Sequence, residues 1–177
     1  MRHFDATNAE LTVHTTREGV LSPVGHDLEF VASALALDVD EATNTLELRV
    51  DPRAMHVRGA LIDGALDTTR LSAADVRKIE SHLYDDVLEV ARHPEIRFSG
   101  RVTTTTPSGG HVVEGMLTLH GATRSITLTT ERAGAFESGE LAVEQPDFGI
   151  APFRAMLGAL RVRARVVIRV RLHHPSA

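Results

Sequence analysis

The residues in this chain best placed for chemistry are Gly25-His26-Asp27, with Glu29 close behind. A histidine beside a carboxylate can hold a metal ion or move a proton. Two features favour a structural role for them. Adjacent residues in a strand point to opposite faces, so His26 and Asp27 would not grip one ion together. The triplet also sits where a glycine turn enters a strand, and polar side chains there serve the turn by hydrogen bonding. Metal-dependent His-Asp hydrolases, by contrast, are helical and need further His and Asp ligands. Ten histidines are many for 177 residues. None falls in a metal-ligand spacing such as His-Glu-x-x-His or His-x-His, and His173-His174 belong to the tail, so no metal site is expected. Cysteine is absent, which excludes disulfides, thiolate metal sites and cysteine nucleophiles. There is no Gly-x-Ser-x-Gly, no phosphate-binding Gly-x-x-x-x-Gly-Lys and no Gly-x-Gly-x-x-Gly. The expectation is a protein with no catalytic residue and no cofactor.

Composition sets the frame. Apolar residues make up 42% and charged residues 24%, enough for one full core within a single domain spanning residues 1–177. A net charge of −5 argues against a nucleic-acid partner, which needs a basic field. The first eight residues, Met1 to Asn8, hold no apolar run of signal-peptide length, and no stretch approaches a membrane helix. The expected setting is therefore cytoplasmic and soluble.

The elements that must position any site are mostly strands, because the dominant rhythm is two residues. Leu11, Val13 and Thr15 alternate with Thr12, His14 and Thr16. A long strand is expected from Asp27 to Asp38, with Val31, Leu35, Leu37 and Val39 on one face. Leu28, Phe30 and three alanines (Ala32, Ala34, Ala36) lie on the other. After a turn at residues 40–44, Leu46, Leu48 and Val50 alternate with Glu47 and Arg49. Residues 51–71 form a glycine-broken connection in which Met55-His56-Val57 suggests a short strand. A helix is expected over 72–88, with Ser72 as N-cap, Asp75 in its first turn and Val76, Ile79, Leu83 and Val87 on one face. His93-Pro94 ends that region. Five strands follow, the last with Val162, Ala164, Val166, Ile168, Val170 and Leu172 on one face and arginines from Arg161 to Arg171 on the other. That arginine row fits a solvated outer face that discourages edge pairing, or a surface that meets an anionic partner. The fold class is all-β: an eight-stranded antiparallel up-and-down barrel with one helix inserted between strands 3 and 4.

Four phrases carry a resemblance to a known family. Leu21-Ser-Pro-Val-Gly-His-Asp-Leu-Glu-Phe30 opens the second strand. Val87-Leu-Glu-Val-Ala-Arg-His-Pro-Glu-Ile-Arg-Phe-Ser99 is a helix-to-strand passage. Gly115-Met-Leu-Thr-Leu-His-Gly-Ala-Thr-Arg124 is a hairpin, and Gln145-Pro-Asp-Phe-Gly-Ile-Ala-Pro-Phe153 precedes Gly158 and the final strand. Together, in this order and over nearly the whole chain, they resemble the YceI-like family. The resemblance implies a lipocalin-like barrel whose lumen takes a long apolar chain, of polyisoprenoid or fatty-acyl type.

Alternation alone gives a barrel with or without a cavity, since eight strands enclose a lumen that side chains just fill or that holds one small ligand. The residues assigned to the lumen are Phe30, Leu46 and Leu48, then Ile96, Phe98, Leu117 and Leu119, then Val166 and Ile168. Leu28, Phe148 and Phe153 are assigned to lumen or mouth, and His26 to the mouth, near a ligand's polar head. The leading expectation is non-enzymatic binding of one elongated apolar molecule. The alternatives are a protein-interaction module with a packed barrel, self-pairing as a homodimer included, and a metal or acid–base site around His26-Asp27.

Overall fold

A computed structural model describes residues 1–19 and 25–174. Leu21 to Val24, the start of the first family-like phrase, lie outside the described residues. The chain forms β1 (Arg2–Asp5), β2 (Ala9–Thr15), β3 (Arg17–Glu18), β4 (Asp27–Ala32), β5 (Leu35–Asp40), β6 (Thr45–Val50), β7 (Met55–Ile62), β8 (Ala65–Asp67), α1 (Ala73–His82), β9 (Ile96–Thr105), β10 (His111–Leu119), β11 (Ala122–Ala133), β12 (Phe136–Glu144), β13 (Arg154–Ala155), β14 (Leu160–Val162) and β15 (Arg165–His173). Twelve strands make one antiparallel sheet, in the order β1-β5-β6-β9-β10-β11-β12-β15-β2-β4-β7-β8, and β13, β14 and β3 make a small second sheet. Because β1 pairs with β5 and β2 with β4, while β2 also leads to β15 and β5 to β6, the sheet curls into a barrel around one apolar interior.

The sequence reading predicts eight strands, and the sheet has twelve. The expected strand over 27–38 divides at Ser33-Ala34. Phe30 and Ala32 are buried before the break and Leu37 after it. The interval from Ala32 to Leu35 is odd, so the inward face changes parity there. The Ser33 N–H donates to the Ala54 carbonyl (2.8 Å) and the Asp51 N–H to the Ala34 carbonyl (3.3 Å), which fixes the break. The three alanines therefore do not share one lumen face: Ala32 is buried and Ala34 exposed. An unpredicted strand, β1, precedes the expected first one, and the two are separated at residues 6–8, where the Asp5 carboxylate accepts from the Thr7 N–H (2.8 Å) and the Asn8 N–H donates to the Asp5 carbonyl (3.1 Å). The segment that reads as a broken connection holds the β7–β8 hairpin, turned at Asp63-Gly64 with φ of 50° and 82°. The last strand is interrupted as well. Val162 belongs to the small sheet, and the Arg163 N–H donates to the Thr16 carbonyl (2.8 Å).

The helix starts where expected. Ser72 caps it, accepting from the Asp75 N–H (3.1 Å) while the Asp75 carboxylate accepts from the Ser72 N–H (3.0 Å). It ends as an α-helix at His82 and continues as one wider π-turn, Leu83–Val87. It follows β8 rather than a third strand. Glu80 accepts from the Val57 N–H (3.1 Å) and the Tyr84 hydroxyl donates to the Met55 carbonyl (2.7 Å), tying the helix to β7. Val76, Ile79 and Leu83 pack against a buried cluster of Leu11, Phe30, Ala32, Val50, Met55 and Val57. Among the described residues, no helix is long and apolar enough to cross a membrane.

Candidate functional site

Two cross-strand rows form the walls of the interior. On one side Phe30 (β4) faces Val13 (β2), Val13 faces Ile168 (β15), and Ile168 faces Leu141 (β12). On the other, Leu48 (β6) faces Phe98 (β9), which faces Leu117 (β10). The alternation of apolar and polar residues puts these side chains inward and their charged neighbours outward. Between the rows lies a cavity of about 180 Å³. Its lining is aliphatic and aromatic apart from Thr15 and Gln145. It offers room for roughly a dozen water-sized spheres, yet gives water few polar partners.

Glycines keep this space open beside Phe98. Gly100 and Gly115 face each other across β9 and β10. A Cβ on either would come within 2.6 Å of the Phe98 ring, and one on Gly115 within 2.4 Å of the Ser99 carbonyl oxygen. The ring therefore lies along the wall over the two glycines.

Of the residues singled out from sequence, Phe30, Leu48, Ile96, Phe98, Leu117 and Leu119 line the cavity, as do Val166 and Ile168. Leu28, Leu46 and Phe148 lie off it, packed in the surrounding clusters, with Phe148 only 3% exposed. Phe153 sits against the His82 ring, 4.8 Å between centroids. His26 is half-buried near the helix start. Asp75 there is held below its ordinary carboxylate range chiefly by the Ser72 hydroxyl, with a smaller pull from His26. The sequence reading leaves out Leu83, Val87 and Leu88, which come from the helix end and line the cavity. It also leaves out Leu11, Val13, Leu141 and Val170, although their alternation with polar neighbours carries the signal.

The acidic residues near His26 are occupied by structural bonds. Asp27 accepts from the Arg17 N–H (2.8 Å). Glu29, 8% exposed and on the opposite face of β4 from Phe30, pairs with His14 (2.6 Å) and Arg58 (3.1 Å). A second buried acid, Glu137, lies on β12. It bonds Thr130, His111 (2.8 Å) and His174 (3.1 Å). Burial would raise its carboxyl, but the bonds from Thr130 and His111 and the charges of His111 and His174 outweigh burial and leave it below its ordinary range. His174 is pushed down by burial first and then by the cations Arg2 and Arg132. Arg2 donates to His174 Nδ1, so the ring's proton sits on Nε2 and donates to Glu137. One group of three is not visible in the histidine spacing: Glu89, His93 and His120 converge, with one candidate ligand atom from each within 4.8 Å of the others.

The YceI-like domain matches the chain over residues 3–173. The crystal structure of Burkholderia cenocepacia BcnA superposes with a TM-score of 0.66 at 13% identity, covering 95% of this chain and 97% of that one. A polyisoprenoid binding domain from Saccharophagus degradans, implicated in plant cell wall breakdown, gives a TM-score of 0.59 at 12% identity over 94% of both chains. The Campylobacter jejuni YceI protein gives 0.50 at 16% identity, covering 79% of this chain and 80% of that one. At such identities the likeness is one of fold. No curated protein matches the chain.

Proposed function

The chain belongs to the YceI-like family, and from that premise we propose that it is a non-enzymatic binding protein that holds one elongated apolar molecule, of polyisoprenoid or fatty-acyl type, inside its barrel. The observation that carries apolar binding is the cavity of about 180 Å³, whose described lining is apolar apart from Thr15 and Gln145; the elongated form of the ligand rests on the family and its named neighbour. Protein interiors are otherwise packed to crystal density, and an unfilled space of this size lowers stability. β1 with β2, and β4 with β5, act here as two interrupted staves of the twelve-stranded sheet that curls around the ligand space. Leu83, Val87 and Leu88, from the helix end, add to its apolar wall. Burial of apolar surface drives binding at roughly 25 cal/mol per Å², less the cost of ordering the ligand. The name of the Saccharophagus degradans domain lends support to a polyisoprenoid as the ligand.

The test is native mass spectrometry of the full chain purified without denaturant, followed by organic extraction. One co-purifying apolar molecule per chain is the expected result. A bare mass, with no uptake of isoprenoid or fatty-acyl probes, overturns the reading.

A further inference from the structure

We propose that Glu89, His93 and His120 form a binding site for one divalent transition-metal ion of zinc-like preference, just outside the apolar wall of the cavity. Two imidazoles and a carboxylate are a ligand set that zinc accepts, and three protein ligands leave a fourth position open. The three come from separate places. Glu89 follows the π-turn, His93 precedes Pro94, and His120 stands at the β10–β11 hairpin turn.

The bonding around His120 singles out this group. Nδ1 faces the Phe148 carbonyl oxygen at 3.3 Å and Nε2 faces Glu89 Oε2 at 2.9 Å. Both partners only accept. A neutral imidazole has one proton, and with Nδ1–H donating to the carbonyl, the Nε2 lone pair points at a carboxylate. A cation between Nε2 and Oε2 resolves that conflict. The carbonyl on Nδ1 then fixes the ring as the outer partner of a metal-bound histidine does. The His93 ring lies 4.2 Å from the His120 ring, centroid to centroid, which brings in the second imidazole. Arg92 holds the other oxygen, Oε1, at 2.9 Å, leaving Oε2 to bind through one atom. His93 is set closely: a Cβ on Gly121 would meet its Cε1 at 3.0 Å and Nδ1 at 3.1 Å. Glu89 holds φ of 43°, a left-handed conformation costly for a residue with a side chain, as its carboxylate meets His120. His120 has φ of 51° because the two-residue hairpin requires it.

The same His120 contacts suit a protonated imidazole paired with Glu89, and experiment separates the two. Zinc is titrated into the full metal-free chain at pH 7.5, with equilibrium dialysis and elemental analysis for stoichiometry. One ion per chain is expected, with affinity reduced at least about a hundredfold by His93→Gln and by His120→Asn. Asparagine tolerates the left-handed turn, and circular dichroism verifies folding. His3→Gln, on a distant ion pair with Asp38, leaves binding unchanged. As a readout that needs no variant, zinc shifts the ¹⁵N resonances of two of the ten histidines in the wild type. Failure to bind zinc, affinity unaltered in both folded variants, or histidine resonances that do not move overturns the site and leaves an imidazolium–carboxylate pair.

Discussion

Replacing Ile168 by phenylalanine asks whether the interior is an open site or a tolerated packing defect. Ile168 stands mid-wall, between Val13 and Leu141, all three lining the cavity. At about 24 cal/mol per Å³, an empty space of about 180 Å³ forgoes on the order of 4 kcal/mol of stability. That is a sizeable share of the roughly 5–15 kcal/mol a domain has. Phenylalanine adds about three carbon atoms, worth at most about 2 kcal/mol at about 0.8 kcal/mol per buried carbon. In an open cavity, Ile168→Phe therefore leaves stability unchanged or raises it by up to about 2 kcal/mol. Each kcal/mol moves the melting temperature by about 2–4 °C for a chain of this size. Affinity for an apolar probe should fall at least about tenfold, or about 1.4 kcal/mol. The assays are urea unfolding and fluorescence titration with a fatty-acyl probe. A loss of about 1–3 kcal/mol, the usual cost of overpacking, with probe binding undiminished, would refute the argument: the space would then be no ligand site.

Three further expectations follow from single contacts. Gly115→Ala should destabilise by about 1–3 kcal/mol, because its Cβ meets the Phe98 ring and the Ser99 carbonyl oxygen; an unchanged urea midpoint would show that the ring is not confined there. Ser72→Ala should cost about 1 kcal/mol by removing the acceptor at the start of α1, measured by thermal unfolding, and no change would mean the helix start contributes nothing to the global transition. Stability should fall with acid in two stages. His174 is held below its ordinary 6.5, so the unfolded chain takes up a proton that the folded chain refuses, and stability declines as pH drops below about 6.5. Glu137 is held below its ordinary 4.5, so its contribution is present above that value and is lost as pH falls through its folded value. Urea midpoints from pH 8 to 3 test this, and His174→Gln should flatten the upper stage; a midpoint that rises between pH 6.5 and 5 would contradict it.

Much of this architecture is written locally. The period of two in Leu11-Val13-Thr15 and Val166-Ile168-Val170, the Ser72/Asp75 cap and the four family-like phrases each depend on neighbours within a few residues, so composition and spacing suffice to read them. The breaks at Ser33-Ala34 and at residues 6–8 are different. The break at 6–8 is fixed by local bonds to Asp5, whereas at Ser33-Ala34 bonds to distant partners, Ser33 to Ala54 and Asp51 to Ala34, show where the inward face changes. The site divides the same way. Alternation marks which side chains face inward, but whether they meet or leave about 180 Å³ between them depends on how far the curled walls stand apart. Leu83, Val87 and Leu88 reach the cavity from a helix that Glu80 and Tyr84 tie to β7 and whose apolar face packs on a distant buried cluster. Glu89, His93 and His120 span 31 residues in sequence between Glu89 and His120 and meet in space. Spacing along a chain registers partners within a turn or across a short hairpin. Partners brought together by the closing of a sheet leave no period to read, and the tertiary structure alone decides them.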